Sequence, residues 1–186
     1  MVALPTADTK LVDMGSLGID FDHHRLFGAL VAGMADLLET TAGIEDASTY
    51  VASIAARLET EIEKRYKAAL GVQNFSRTQL PAILVDLKNR ADGAFFVIEE
   101  SDDHIVLGNR ACPMGNAVRN HPSLCMLTSN IFGLLTANAL GYAAVDLEET
   151  IAAGATGCRV VIHLKRTEQR PDTREYFRDD APAGLD

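Results

Sequence analysis

The spacing of apolar residues changes once along this chain, and that change restricts the class of fold it can adopt. Between Asp22 and Thr40, residues Leu26, Leu30, Met34, Leu37 and Leu38 recur at three- and four-residue intervals, the period of an α-helix. Gly43 interrupts the pattern, and Asp46 or Ser48 is placed to cap a second helix reaching about Leu70. Its stripe is Tyr50, Ile54, Leu58, Ile62 and Tyr66, with Glu, Lys and Arg opposite. Ser76-Arg-Thr-Gln starts a third helix with a Ser/Gln capping pair, Pro81 in the first turn, and Leu80, Ile83, Leu84 and Leu87 inward. Beyond Asp92-Gly93 the runs become short and rich in Phe and Val. Ala94–Glu99 and Ile105–Asn109 read as a hairpin around Ser101–His104. A helix from about Leu124 to Leu140 follows, whose small residues Gly133, Ala137 and Ala139 leave room for another backbone. Strands Ala143–Leu147 and Arg159–Leu164 then flank a turn at Gly154–Gly157. Helices first and ββαββ afterwards predict an α+β fold, with helices packed on an antiparallel sheet. Residues 20–166 form one domain, with a leader over 1–19 and a charged, proline-containing tail over 167–186.

Charge narrows the partners. A net charge of −9 and a pI near 5.0 oppose binding to nucleic acid or to anionic membranes. The N-terminus lacks the charged-then-apolar order of a signal peptide, and the apolar stretches Leu26–Leu38 and Ile131–Val145 are short for a bilayer span. Three cysteines, an odd number, fit a reducing compartment better than a disulfide framework, so the expected location is cytoplasmic.

Those cysteines are the strongest chemical signal. Cys112 lies in Ala-Cys-Pro-Met-Gly, Cys125 at the expected start of a helix, and Cys158 directly after Gly154-Ala-Thr-Gly157. A helix N-terminus lowers a thiol pKa and favours the thiolate that binds metal. A loop, a helix start and a turn can converge on one centre, and soft thiolates suit zinc or an iron–sulfur cluster. His121, His104 and Glu148 are the candidates for a fourth ligand. The opposing reading is that free cysteines serve as small buried hydrophobes. A third makes Cys125 a nucleophile activated by the helix and by His121.

The segments Gly93-Ala-Phe-Phe-Val-Ile-Glu, Asn109-Arg-Ala-Cys-Pro-Met-Gly, Pro122-Ser-Leu-Cys-Met-Leu-Thr-Ser-Asn-Ile-Phe-Gly and Cys158-Arg-Val-Val resemble the methanogen output domain family. That likeness spans about residues 20–165 and implies a module at the output end of a signalling system. More distantly, the Cys-Pro…Pro-x-x-Cys…Gly-x-x-x-Cys skeleton is similar to four-vinyl reductase-type ligand-binding domains. The haem–nitric-oxide-binding and TRAPP domains belong to the same superfamily. The gap of twelve residues between Cys112 and Cys125 also resembles the first cysteine pair of Suf-type iron–sulfur repressors. This chain departs from those repressors in its gap to Cys158 and in having no helix-turn-helix ahead of it. In related phenol sensors one Glu and three Cys hold zinc. Here Glu148 matches the Glu, whereas Thr150 stands at one thiol position.

The remaining candidates are weaker. Asn116 and Arg119, near Cys112, are placed to orient an anionic ligand, or are ordinary loop residues. His23-His24 point about 100° apart on a helix and do not share a face, which favours a capping region with Asp22. No phosphate loop or Gly-x-Ser-x-Gly elbow occurs, and no catalytic residue is assigned. The expected protein is a cytoplasmic binding module, a homodimer taking a small molecule and a partner signalling protein, with zinc or an iron–sulfur cluster on its cysteines. A metal-free scaffold or assembly module and a cysteine-dependent enzyme are the alternatives.

Overall fold

The structure, a computed structural model, describes residues 17–166 and 172–178. Four helices, α1 (His23–Ala42), α2 (Ile44–Leu70), α3 (Leu80–Asn89) and α4 (Cys125–Leu140), accompany one sheet. Its strands are β1 (Phe95–Glu100), β2 (His104–Asn109), β3 (Tyr142–Glu149), β4 (Cys158–His163) and β5 (Arg174–Phe177). All pairings are antiparallel, in the order β1-β2-β4-β3-β5. The α+β class and the ββαββ core follow the sequence pattern.

Local chemistry explains the helix boundaries. Asp22 caps α1 by accepting the Arg25 N–H at 2.9 Å. Ser76 and Gln79 form the reciprocal pair ahead of α3: Ser76 N–H donates to Gln79 Oε1 at 2.9 Å, and Gln79 N–H to Ser76 Oγ at 3.3 Å. The second helix starts earlier than Asp46 or Ser48. Gly43, at φ +86, turns the chain in one residue, so α2 begins at Ile44.

The core lies between the helices and one sheet face. Phe95, Ile105, Leu107, Val145, Val160 and Ile162 meet Phe132 and Leu135 of α4 and Leu80 and Leu84 of α3. The stretch Pro122–Leu140 is long and apolar enough to cross a membrane by length and composition. In the fold it contributes α4, packed against α2, β3 and β5. Its apolarity is that of a core helix touched on several sides.

Two expectations are corrected. Residues 174–177, placed in a tail, form β5, which pairs with β3 and brings Tyr176 into the core at 7% exposure. A four-residue strand with one buried aromatic is too short to give a periodic signal; the other parts of the expected tail, 167–171 and 179–186, lie outside the described residues. Gly133 takes the Tyr176 ring against its Cα, not a backbone, and Ser129 Oγ lies 2.9 Å from the Tyr176 hydroxyl. Of the expected leader over 1–19, residues 1–16 likewise lie outside the described residues.

Candidate functional site

The three cysteines come from three separated segments. Cys112 lies in the loop after β2, Cys125 opens α4 behind a 3-10 turn over Pro122–Leu124, and Cys158 begins β4. They line a single small cavity together with Lys88, Asn109, Thr128 and Thr150. Apolar walls come from Phe95, Leu124, Leu147 and Val160. Its volume is about 40 Å³, room for an ion or one to two waters and far below the usual space for an organic ligand.

Asn109 organises two of the three segments. This residue is 4% exposed; its Oδ1 accepts the Cys158 N–H at 2.7 Å and its Nδ2 donates to the Ala111 carbonyl at 2.9 Å. Gly157 packs against the Asn109 carbonyl so closely that a Cβ there would collide with it. Cys158 Sγ in turn accepts the Ile151 N–H at 3.4 Å. These bonds hold β2, the Cys112 loop and the start of β4 in one register.

The electrostatics are unusual for a buried site. Lys88 is 6% exposed, and its Nζ donates to Thr128 Oγ1 at 2.8 Å. The ammonium also lies 5.2 Å from the Phe132 ring and 5.9 Å from the Phe95 ring. Among the described residues it forms no ion pair with a carboxylate; the ionisable groups that act on it are the three thiols. Burial pulls Lys88 down to about 8, with the cysteines acting in the other direction. Burial likewise raises Cys112, partly offset by a Met114 backbone hydrogen bond. Cys125 is pushed up to about 12, first by burial and then by Cys158 and Cys112, against a hydrogen bond with Thr150 and the charge of Lys88.

This corrects the expectation that the helix N-terminus makes Cys125 a ready thiolate. Desolvation outweighs the dipole, and the thiol stays protonated at neutral pH. The proposed activator is also engaged elsewhere, because His121 Nδ1 lies 2.9 Å from Glu39 Oε2 of α1.

The other named residues do not join the cavity. Glu148 accepts Arg159 Nε at 2.8 Å in the neighbouring strand. His104 sits in the hairpin turn, 3.0 Å from Glu99. Asn116 and Arg119 lie on the exposed turn around Gly115–Val118, Asn116 beside a shallow groove shared with His24 and Arg25. Thr150, by contrast, lines the cavity with the thiols.

Lys88 is the site residue that sequence reasoning passed over. It continues the inward positions Leu80 and Leu84 of α3 at four-residue spacing, a cation where the stripe calls for an apolar side chain. That mismatch is the available signal.

As donors, three thiols lining one small cavity suit a thiophilic ion. As they stand, however, no three His, Cys, Asp or Glu side chains among the described residues are gathered into a ligand set.

The fold and this pocket define a small α+β domain with a small thiol-lined cavity between its helices and its sheet. The sequence model of the methanogen output domain 1 family matches residues 30–163, and the chain belongs to that family. The match takes in all three cysteines and Lys88, and an output-domain family fits a signalling module. No curated protein matches the chain.

Proposed function

We propose that this chain is a signalling module whose input is a thiophilic metal ion, zinc by donor chemistry, taken by Cys112, Cys125 and Cys158. The observation that carries this reading is Lys88, a buried cation that lines the same small cavity as the three thiols. Three thiolates and a divalent ion leave one negative charge, and the Lys88 ammonium cancels it. An uncompensated buried charge would cost several kcal/mol. The cavity of about 40 Å³ suits a single ion, whereas an iron–sulfur cluster would require its walls to part.

Cys112, Cys125 and Cys158 would hold such an ion as thiolates, and it would supply a cross-link between their three chain segments. The chain's own residues supply the rest. Thr128 orients the Lys88 ammonium, Thr150 bonds Cys125, and Asn109 holds the Cys158 and Cys112 segments together. The turn before Cys125 is bonded through Ser123 to Glu39 of α1, which would connect an ion at the thiols to that helix.

The test is anaerobic purification followed by metal analysis and a visible spectrum. The expected result is about one zinc per chain, colourless, lost in Cys112→Ser, Cys125→Ser and Cys158→Ser. Visible absorbance from bound iron and sulfide would replace zinc by a cluster. A chain that neither carries nor takes up metal would refute the reading. A second reading, an assembly module with inert cysteines, draws support from the apolar face of α1 and α2. Unchanged partner binding after all three cysteines are replaced would favour it.

A further inference from the structure

α1 and α2 pack against each other across the Gly43 turn, and each turns a row of apolar side chains to solvent. On α1 the row is Leu26, Leu30, Met34 and Leu37; on α2 it is Tyr50, Ile54 and Leu58. Each of these side chains is between 45% and 63% exposed. The inward face of α1 is separate from this row and holds Gly28, Ala35 and Glu39. The spacing of four, four and three along α1 is that of a helix–helix seam.

We propose that this face binds a second copy of the same chain, forming a symmetric four-helix interface from two α1–α2 pairs. Area is the first argument. At roughly 200 Å² for a large apolar residue, the seven side chains present about 700 Å², close to the ~800 Å² per partner of a stable interface. A patch this large exceeds what monomeric proteins usually expose. Charge is the second. The two helices carry five basic and seven acidic side chains, a net −2 against −9 for the chain, so self-association here meets little of the overall repulsion. Two helix pairs related by a two-fold axis give each row an identical partner.

The sheet offers a rival surface, since β1 is an edge strand with Phe96, Val97 and Ile98 exposed. That edge is protected: a bulge falls between Val97 and Glu99, Glu99 and Glu100 add charge, and the Arg110 guanidinium covers Phe96 at 5.0 Å. The dimer inference does not depend on what occupies the thiol cavity.

Sedimentation equilibrium on the full chain tests it. The expected mass is twice the 20.0 kDa of one chain. Leu30→Glu combined with Ile54→Glu should give the monomer with an unchanged far-ultraviolet spectrum, because both side chains are already half exposed. Val97→Lys combined with Ile98→Lys should leave the dimer intact. A wild-type monomer across the micromolar range would overturn the proposal, whether another protein or residues 1–16 cover the face. A dimer that survives the α1–α2 variant, or that is lost only in the β1 variant, would overturn it equally.

Discussion

The Ser123 hydroxyl donates to Glu39 Oε1 at 2.5 Å, joining α1 to the turn that ends at Cys125. The Ser123 N–H donates to the same oxygen at 3.2 Å, and His121 Nδ1 approaches Oε2 at 2.9 Å. One carboxylate therefore connects the exposed helix to the wall of the thiol cavity. Burial alone would raise Glu39, yet the bonds from Ser123 and His121 hold it below its ordinary 4.5.

Glu39→Gln should cost about 1–2 kcal/mol at pH 7, since it exchanges charge-assisted bonds for neutral ones. A carboxylate lowered in the folded state stabilises above its unfolded pKa and loses that contribution as pH falls through its folded value. The gap between wild type and variant should accordingly narrow below pH 4.5. Urea titrations at pH 7 and at progressively lower pH measure it; a constant gap would contradict this account.

Glu59 of α2 behaves in the opposite sense. It is 3% exposed and pushed up to about 7, first by burial and then by Glu63, against a hydrogen bond from Asn138 and the charge of Lys67. With its folded pKa raised, its contribution is full below 4.5 and is lost as pH rises through about 7. Glu59→Gln should stabilise the protein by about 2–3 kcal/mol at pH 8 and by little at pH 4.5. Thermal melts of both proteins across that range decide it.

Lys88→Met separates the two parts of the cavity's electrostatics. Methionine fills similar space without a charge to desolvate, so the metal-free variant should be as stable as wild type or up to about 2 kcal/mol more stable. Zinc affinity should fall at least about tenfold, because three thiolates and a divalent ion then leave one buried negative charge uncompensated. Competition titration against a zinc chelator measures the loss, and undiminished affinity would remove Lys88 from its assigned role.

Gly133→Ala tests the seating of β5. The added Cβ would strike the Tyr176 ring, which is buried in the core against α4. A loss of about 1–3 kcal/mol is expected, with faster proteolysis within 172–178 as β5 leaves its place beside β3. Pairing Gly133→Ala with Tyr176→Leu should restore part of the loss.

Legibility divided along the range of the forces involved. The stripe Leu80, Ile83, Leu84 and the Ser76–Gln79 pair are local, so α3 and its capping could be read directly. The two hairpins were equally local. The exposed stripe Leu26–Leu37 was legible as helix, but periodicity does not tell a buried face from one turned to solvent. The Cys125 thiol shows the limit at the site. Its helix-start position was correct, yet its ionisation depends on burial by residues from three other segments.

The sequence by itself determined the order of helices and strands, the antiparallel character of the sheet and the identity of the sulfur donors. The element order and the pairing within β1–β2 and β3–β4 rest on residues near in the chain, and the donors on composition alone. Only the tertiary structure decided that Lys88 faces the three thiols, that Glu39 holds the turn before Cys125, and that Tyr176 closes over Gly133. Those pairings join residues tens of positions apart, and their energies arise from desolvation and close packing once the elements have met.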